Sequence, residues 1–419
     1  MKTYAMMILG CKVNDYEATY VRENMNKYFK EVSFKDKADI YLIFTCCVTN
    51  TAEAKTRKFI HDAKRNNKDA YVVAIGCMSQ IKGDSEAFEG VDLIIGSNNK
   101  DKIVELILAD TKANLVNEDI NDHFEVLNIQ EYPTKSRAFL KIQDGCNQFC
   151  SYCIIPYARG RQRCPDHSII LKQAKTLALS NKEIVLTGIH TGRYDDGQYD
   201  LYHLLKDLND IQELETIRLS SIEINEINDD IINLMKNSNK IAHHLHIPVQ
   251  SCDDTILKLM NRPYTIEEYM ERVNYIRNNI PNISISTDLI VGFPFETDEL
   301  FNNTLDKLKQ IKFSFIHIFP YSRKTNTVAD KMDNQIDNKI KKERLHIVAD
   351  LQKDITKQYQ ESFKNKIVKA LIEKHKDQYS YGYTKEYIYT KISGIHPIGS
   401  IKDVKIIDVD DEVIGDVVI

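Results

Sequence analysis

The sequence of 419 residues lacks several features that would assign it to a special class of protein. It contains no run of about 18 consecutive apolar residues, so it has no candidate transmembrane helix. Its net charge is only −5, and contact with RNA would therefore need local basic patches rather than an overall basic surface. Tandem repeats and low-complexity tracts are absent. The composition, with 42% hydrophobic and 28% charged residues, is typical of a soluble globular protein.

A secretion signal is also missing. The apolar stretch 4–9 is shorter than the roughly 7–15 residues of a secretory apolar region, and it leads directly into a helical pattern from Asn14. We interpret the stretch as a first buried strand and expect a cytoplasmic protein that does not enter a membrane. Nine cysteines in such a chain favour metal binding or catalysis over a disulfide framework.

The chain is too long for one ordinary hydrophobic core, so two or three domains are expected. Its first part alternates short apolar strands with amphipathic helices, which is typical of a parallel α/β sheet. The predicted strands are 4–9, 38–44, 70–75 and 92–95, and the predicted helices are 14–29, 51–65 and 100–108. The stretch 111–133 is polar with weak periodicity, and we interpret it as a connecting segment.

A second series of strands and helices follows. Six apolar runs separated by helical patterns predict a partial barrel of parallel strands, with chemistry at the carboxyl ends of the strands. The runs are 139–142, 184–189, 217–222, 245–249, 283–291 and 315–319. A long charged helix over 338–363 closes this series, and the short β-rich runs beyond it predict a small all-β barrel. The expected domains are therefore 1–115, 132–363 and 364–419.

Three cysteines lie close together after the first strand of the second series. Cys146, Cys150 and Cys153 form a C-x3-C-x2-C run, and thiolates are the ligands that iron–sulfur clusters take. A structural zinc site would be closed by four ligands, whereas three thiols leave one iron open. That iron can chelate the amino and carboxylate groups of S-adenosylmethionine, whose reduction supplies a radical. The alternative is a zinc loop, or cysteines with no shared role.

A second trio is spread along the first part of the chain. Cys11, Cys46 and Cys77 each fall one or two residues past the end of a predicted strand. Because the carboxyl ends of parallel strands share one edge of a sheet, the three thiols are expected to form another three-ligand site there. The alternative is that they are buried cysteines acting as small hydrophobic residues.

The two trios, in this order, resemble those of the radical S-adenosylmethionine methylthiotransferases, and the resemblance covers essentially the whole chain. The matching segments include Leu9-Gly10-Cys11-Lys12-Val13-Asn14, Thr45-Cys46-Cys47-Val48-Thr49, Gly76-Cys77-Met78-Ser79-Gln80 and Ile154-Ile155-Pro156-Tyr157-Ala158-Arg159-Gly160. The resemblance implies two [4Fe-4S] clusters, with Cys46 rather than Cys47 as a ligand of the second cluster. It also implies that the terminal β-barrel is an RNA-binding domain of the TRAM type.

Within that family, Leu-Gly-Cys-Lys-Val-Asn is similar to the motif of the branch that acts on threonylcarbamoyladenosine beside the anticodon of tRNA. The reaction would add a methylthio group to C2 of the adenine. The implied partners are the anticodon stem-loop of tRNA, an electron donor protein and a sulfur source. Alternatives are methylthiolation of isopentenyladenosine or of a ribosomal-protein aspartate, and, in a different class, a non-catalytic iron–sulfur protein that binds RNA.

The resemblance also suggests which residues hold S-adenosylmethionine, and no catalytic residue is expected beyond the cluster ligands. The candidates are Tyr152 in the cluster loop and the strand-end residues Thr187, Gly188, Ser220, Glu223, Gln250 and Ser251. Arg159, Arg161 and Arg163 are expected to bind cofactor carboxylate or RNA phosphate, or else to lie in a solvated loop. Three positions depart from the family pattern: Phe44 replaces an Asn, and Cys252 and Phe295 replace glycines.

Over residues 364–391, at the start of the terminal barrel, lysines outnumber acids, and tyrosines recur at Tyr379, Tyr381, Tyr383, Tyr387 and Tyr389. Basic groups interleaved with aromatics suit an RNA backbone and stacked bases. Strand-packing tyrosines are the alternative explanation. The acidic tail 408–416 is expected to face away from RNA.

Overall fold

The computed structural model describes residues 1–83, 85–116, 120, 123–132 and 136–418. The predicted connecting segment 111–133 lies partly outside these ranges, at 117–119, 121–122 and 133. No helix within the described ranges is long and apolar enough to cross a membrane.

The N-terminal part is a six-stranded, fully parallel sheet with the order β2-β1-β3-β4-β5-β6. Its strands are β1 (Thr3–Ile8), β2 (Lys30–Glu31), β3 (Ile40–Thr45), β4 (Tyr71–Gly76), β5 (Leu93–Ile95) and β6 (Ala113–Leu115). Its helices are α1 (Lys12–Met25), α2 (Asn50–Asn66), α3 (Cys77–Lys82) and α4 (Ile103–Leu108). Every residue of β3 is buried, as expected for a central parallel strand covered on both faces.

Two strands of this sheet were not predicted. β2 has two exposed residues, and β6 lies inside the segment that we interpreted as a connection. Both are edge strands that owe their conformation to pairing with a neighbour, β1 for β2 and β5 for β6. Neither contains an apolar pattern long enough to indicate a strand.

The central part has six parallel strands in two groups of three, β7-β8-β9 and β10-β11-β12. Single bridges, Ile217 to Ile241 and Ser221 to His246, join the groups into the predicted partial barrel. The strands are β7 (Arg137–Lys141), β8 (Glu183–Thr187), β9 (Thr216–Leu219), β10 (His244–His246), β11 (Ser284–Val291) and β12 (Phe315–Pro320).

Eight helices accompany these strands within the described ranges. They are α5 (Ile155–Arg159), α6 (His167–Ala178), α7 (Leu201–Asn209), α8 (Asp229–Asn237), α9 (Asp254–Leu259), α10 (Ile266–Asn279), α11 (Asp298–Ile311) and α12 (Asn338–Glu361). Their starts are encoded locally: Thr265, for example, accepts from the backbone N–H of Glu268, whose carboxylate accepts from the backbone N–H of Thr265. The apolar faces of these helices and the barrel strands form the largest core of the molecule.

The last part is a closed barrel with the order β13-β14-β15-β17-β16, which confirms the predicted small β-barrel. Its strands are β13 (Ile367–Lys376), β14 (Tyr379–Thr384), β15 (Tyr389–Ser393), β16 (Ile401–Val409) and β17 (Val413–Val417). The pairing is antiparallel except between β15 and β17. A separate small core of aliphatic residues fills it.

The three departures from the family pattern occupy different environments. Phe44 is fully buried in β3 and belongs to the core between the sheet and α1. Cys252 is also buried, and its backbone does not require glycine because φ is not positive there. Phe295 has φ +68°, in the left-handed region that side chains with a Cβ rarely adopt. The left-handed backbone that favours glycine is therefore present at Phe295 and not at Cys252.

Candidate functional site

The loop that carries the first cysteine trio begins at the end of β7. Gly145 has φ +69°, and a Cβ at this position would lie 1.9 Å from the carbonyl oxygen of Arg161, so only glycine fits. The backbone N–H of Cys146 then donates to the carbonyl of Gly160 at 3.1 Å. This turn presents the Cys146, Cys150 and Cys153 thiols, all half-buried, on one loop.

Polar side chains contact two of these sulfurs. Nδ1 of His190 lies 3.4 Å from Sγ of Cys146, and Nη1 of Arg262 lies 3.6 Å from Sγ of Cys150. Burial disfavours the charged imidazole, but the hydrogen bonds to Cys146 and Glu226 outweigh it and raise the pKa of His190 to about 10. Sequence reasoning left His190 unassigned and did not select Arg262, because their closeness to the loop comes from folding alone.

The second trio lies at one edge of the N-terminal sheet. Cys11 directly precedes α1 and is exposed, whereas Cys46 after β3 and Cys77 after β4 are buried. Burial, together with the neighbouring Cys77 and Cys11 thiols, raises the pKa of Cys46 to about 12. A Cβ on Gly10 would lie 3.2 Å from Sγ of Cys46, so glycine lets the two chain segments approach closely. The fold thus brings the three thiols into one neighbourhood.

Cys47 also lies near this group, but on the core side. It packs with Cys77 and Met78 in the apolar cluster between α2, α3 and the sheet. A hydrogen bond between the Cys47 and Cys77 thiols raises the pKa of Cys47 well above its ordinary value. The same hydrogen bond and the charge of Arg159 lower the pKa of Cys77 to about 6. The Cys77 thiolate is therefore stabilised by its surroundings.

Arg159, at the end of α5, connects the two cysteine groups. Its guanidinium is completely buried and donates from Nε to Sγ of Cys77 at 3.2 Å. It also donates to Glu17 at 2.5 Å and to Asn14 at 2.7 Å, both on α1. The expectation that Arg159 contacts RNA phosphate is therefore wrong, because the side chain has no exposed surface. Arg163 is also buried and pairs with Asp144 at 3.3 Å.

Further buried charges extend this contact. Nζ of Lys141 lies 2.9 Å from a carboxylate oxygen of Glu17 and 2.9 Å from one of Asp144. Burial alone would raise the pKa of Glu17, but the charges of Arg159, Lys100 and Lys141 outweigh it and lower the pKa to about 2. Glu17 thus stays ionised and joins the N-terminal sheet to the barrel.

Two of the predicted cofactor residues line a cavity of about 220 Å³ next to the first cysteine loop. Tyr152, Cys153 and Gln250 border this cluster-side cavity, and Gln250 has φ +65° at the turn after β10. The edge of the Tyr152 ring meets Phe293 at a centroid distance of 6.4 Å. The structure therefore brings Tyr152 and Gln250 to the same space as Cys153.

The other five predicted residues lie around the strand ends without lining that cavity. Gly188 packs so closely on Gln143 that a Cβ would lie 3.0 Å from its carbonyl oxygen. Glu223 pairs with Arg262, and the Ser251 hydroxyl accepts from the backbone N–H of Asp253. Thr187 and Ser220 are buried. In the described ranges, the hydroxyl of Ser220 has no hydrogen-bond partner.

A larger cavity of about 560 Å³ lies inside the partial barrel. We call it the central cavity, and its lining includes Lys12, Arg137, Phe139, Arg218, Ser221, His244, His246, Ser286, Asp288, His317, Phe319, Glu373, Tyr383 and Tyr387. Asp288 and Phe319 border the cluster-side cavity as well, so the two spaces adjoin. Sequence reasoning missed this site, because its residues come from all three parts of the chain.

The terminal barrel closes one side of the central cavity. The rings of Tyr383 and Tyr387 stack at 4.5 Å, and Tyr387 stacks on His244 at 4.5 Å. The guanidinium of Arg218 lies 5.0 Å from the Tyr387 ring. These two tyrosines therefore pack against the central part of the chain instead of forming an exposed stacking surface. In the acidic tail, Asp408 and Glu412 pair with Lys364 and Lys391, which removes part of the predicted basic excess.

The donor sets fit iron–sulfur clusters rather than single ions. Within the described ranges, no three His, Cys, Asp or Glu side chains converge to hold one metal ion. In a four-iron cluster each thiolate binds its own iron, so three sulfurs need only surround the cluster. Both trios consist of free thiols, and cationic or imidazole groups contact the sulfurs as hydrogen-bonding partners do in iron–sulfur sites.

Known families match both functional parts of the chain. The Radical SAM superfamily matches residues 140–308, and a family described as Uncharacterized protein family UPF0004 matches residues 3–96. The likeness to solved structures includes the radical S-adenosylmethionine methyltransferase TsrM from Kitasatospora setae, with a TM-score of 0.57 and 14% identity. It covers 78% of this chain and 77% of that one, and it concerns the fold alone.

Relatives of higher identity extend along almost the whole sequence. The chain is 38% identical to the threonylcarbamoyladenosine tRNA methylthiotransferase MtaB of Bacillus subtilis (strain 168), over 97% of this chain and 94% of that protein. It is 40% identical to the protein of the same name from Aquifex aeolicus (strain VF5), over 95% and 98%. A tRNA-2-methylthio-N(6)-dimethylallyladenosine synthase of Acetivibrio thermocellus is 34% identical, over 89% and 81%. The chain therefore belongs to the radical S-adenosylmethionine methylthiotransferases, enzymes that use S-adenosylmethionine and two [4Fe-4S] clusters.

Proposed function

We propose that this enzyme adds a methylthio group to C2 of N6-threonylcarbamoyladenosine beside the anticodon of tRNA. The observation that carries the proposal is the contact between two adjoining cavities. The cluster-side cavity is bordered by Cys153, and the central cavity is bordered by Lys12, the neighbour of Cys11. A base that entered this space would meet Cys153 of the first trio and Lys12, which follows Cys11 of the second. Relatives named for this substrate match nearly the full chain.

In this proposal Cys146, Cys150 and Cys153 hold the radical-generating cluster, and Cys11, Cys46 and Cys77 hold the second cluster. When bound, these groups and S-adenosylmethionine supply the radical, the sulfur and the methyl group of the reaction. Among the protein residues, Tyr152 and Gln250 would contact the cofactor in the cluster-side cavity. Arg159, His190 and Arg262 would fix and stabilise the thiolates through the contacts described above.

The remaining five candidates have different support. Ser220 carries a buried hydroxyl without a partner in the described part of the chain, which suits a hydrogen bond to a bound ligand. Thr187 and Gly188 would shape the floor of the cofactor site at the end of β8. Glu223 would act through Arg262, and Ser251 would hold the turn that carries Gln250.

We further propose the division into an auxiliary-cluster domain over 1–115, a radical domain over 132–363 and an RNA-binding barrel over 364–419. The tRNA partner would be bound through its anticodon stem-loop, with the target base unstacked to enter the central cavity. An electron donor protein and a sulfur source are required by the chemistry of reduction and sulfur transfer. A substrate of this kind also implies a cytoplasmic enzyme.

Two other substrates remain as alternatives within the family. Relatives named for dimethylallyladenosine, which is the isopentenyladenosine of the first alternative, are 32–35% identical to the chain, a range that overlaps the 32–40% of the threonylcarbamoyladenosine relatives. The charged lining of the central cavity suits a polar substituent better than a hydrocarbon one. Nothing in the cavity favours a ribosomal-protein aspartate. The chain belongs to a family of enzymes, and this does not favour a non-catalytic iron–sulfur protein that binds RNA.

The decisive experiment is nucleoside mass spectrometry of tRNA from cells that lack this protein. We expect 2-methylthio-threonylcarbamoyladenosine to disappear and its precursor to accumulate, and the wild-type gene to restore the product. Persistence of the product in cells without another such enzyme would contradict the proposal. Loss of a methylthiolated dimethylallyladenosine instead would support the alternative tRNA substrate.

A further inference from the structure

Three cationic side chains line the central cavity, and two of them are already engaged by the protein. Nε of Arg218 pairs with Glu183 at 3.0 Å, and its two terminal nitrogens donate at 3.1 Å to backbone carbonyls of the terminal barrel. Arg137 pairs with Glu183 at 3.3 Å and also with Glu373. Both guanidiniums therefore hold the barrel together and have carboxylate partners.

Lys12 is different. It lies in the first turn of α1, directly after Cys11, and its side chain borders the central cavity, where burial and the charges of Arg137 and Arg218 lower its pKa. Within the described ranges, no hydrogen bond or ion pair engages its ammonium group. The nearby carboxylate of Asp288 lies 3.2 Å from Nε2 of His246. Lys12 is thus the one Lys or Arg side chain of this lining that has no ion-pair partner among the described residues.

The substrate of the proposed function carries the complementary group. A threonylcarbamoyl substituent ends in a free carboxylate, whereas a dimethylallyl substituent is an uncharged hydrocarbon. A carboxylate that leaves water for a cavity needs a cation or several hydrogen-bond donors there. We infer that the ammonium of Lys12 binds the threonyl carboxylate of the substrate nucleoside, and so selects it over adenosines with hydrocarbon substituents. This inference rests on the proposed function.

The rest of the lining suits the base that carries this carboxylate. Phe139, Phe319, Tyr383 and Tyr387 provide aromatic surface, and an unstacked adenine binds well against such rings. A volume of about 560 Å³ is within the range of cavities that hold a small ligand. The cavity therefore combines aromatic surface with polar and charged groups, among which Lys12 is the one Lys or Arg side chain without an ion-pair partner in the described part of the chain.

The test uses the reconstituted full-length enzyme and changes residue 12 of the protein and the carboxylate of the substrate, separately and together. Wild type, Lys12→Met and Lys12→Arg are compared on two anticodon stem-loop RNAs. One carries threonylcarbamoyladenosine, and the other carries its methyl ester, which removes the negative charge and adds one methyl group. Equilibrium binding is measured by fluorescence anisotropy, and product formation by mass spectrometry. Lys55→Met, on the exposed face of α2, controls for a general loss of positive charge.

For wild type we expect binding of the acid to be about 10- to 100-fold tighter than binding of the ester, as for a charge pair in a partly enclosed site. Lys12→Met should lose this preference without weakening ester binding, Lys12→Arg should retain most of it, and Lys55→Met should retain all of it. The inference is overturned if Lys12→Met loses affinity equally for the acid and the ester, or loses affinity for neither. Iron content and visible spectrum should be unchanged in Lys12→Met, and loss of iron would assign Lys12 a structural role beside Cys11 instead.

The same experiment separates failure of this inference from failure of the proposed function. If wild type modifies the acid RNA but Lys12→Met does so equally well, only the role of Lys12 is wrong. If wild type modifies neither RNA of this pair but modifies one with dimethylallyladenosine, the proposed substrate itself is wrong and the inference fails with it.

Discussion

Nε of Arg159 donates a hydrogen bond to Sγ of Cys77 at 3.2 Å, although the two residues lie 82 positions apart in the chain. Arg159 ends α5, which follows the loop of Cys146, Cys150 and Cys153, and Cys77, a member of the other trio, begins α3 directly after β4. The same guanidinium holds Glu17 on α1. This buried guanidinium therefore links the segment that follows the first cysteine loop to Cys77 and to α1.

Removing this guanidinium should strongly destabilise the protein. In Arg159→Met, Glu17 would lose a partner at 2.5 Å while remaining fully buried. Breaking a buried ion pair in this way costs roughly 3–5 kcal/mol of unfolding free energy. Urea unfolding followed by circular dichroism measures the change. Arg161→Met is the matched control: this exposed arginine lies 4.6 Å from the Phe149 ring, and we expect a loss of about 0.5–1 kcal/mol. An equal loss of unfolding free energy in the two variants would show that the buried Arg159–Glu17 pair stabilises the protein no more than an exposed arginine does.

The depressed pKa of Glu17 predicts a specific loss of stability in acid. The folded-state pKa of about 2 is below the ordinary value of about 4.3 for an unfolded chain. Its stabilisation is therefore fully present above about pH 4.3 and is lost as the pH falls towards 2. Glu17→Gln should have a lower melting temperature than wild type at pH 7, and the difference should shrink below pH 4. The exposed Glu361→Gln serves as control. Measuring the cluster-free protein avoids a contribution from acid release of iron, and a difference that is independent of pH would contradict this explanation.

Because Phe295 has a positive φ, its glycine variant should be more stable than its alanine variant, which is the reverse of the usual order of stability. Both Phe295→Ala and Phe295→Gly remove the same half-buried ring, but only alanine keeps a Cβ in the left-handed region. We expect the glycine variant to be more stable than the alanine variant by about 1 kcal/mol. The same pair of substitutions at Phe319, in the extended strand β12, should favour alanine. Thermal unfolding of the four variants decides the matter, and preference for alanine at both positions would mean that Phe295 is not strained.

Separate substitutions of Cys46 and Cys47 should show which of the two is a cluster ligand and which is a core residue. Cys46 interacts with both Cys11 and Cys77, whereas Cys47 forms a hydrogen bond with Cys77 from the core side. After anaerobic reconstitution we expect about eight irons in wild type and in Cys47→Ala, and about four in Cys46→Ala. Chemical iron and sulfide analysis provides the count. The opposite result would assign the ligand role to Cys47.

The larger elements of this fold were predictable because each has its own periodic pattern. The strand Tyr71–Gly76 and the helix Asn50–Asn66 both lie within one residue of their predicted ends. The closed terminal barrel was also predicted, since its strands are short, apolar and separated by turns. The edge strand Ala113–Leu115 was not, because three residues that pair only through their backbone leave no pattern in the sequence.

The sequence by itself determined which residues can supply thiolates: the spacing of Cys146, Cys150 and Cys153 is local, and strand ends in a parallel sheet bring Cys11, Cys46 and Cys77 to one edge. Only the tertiary structure decided what surrounds them. Arg159 is charged and follows the loop, so its sequence position suggested a solvent-facing role, and burial against Cys77 reverses that. Lys12 is likewise an ordinary helix-start lysine until the barrel strands and Tyr387 enclose the cavity that it borders. Contacts of this kind join residues more than eighty positions apart, and no local pattern of apolar and polar residues records them.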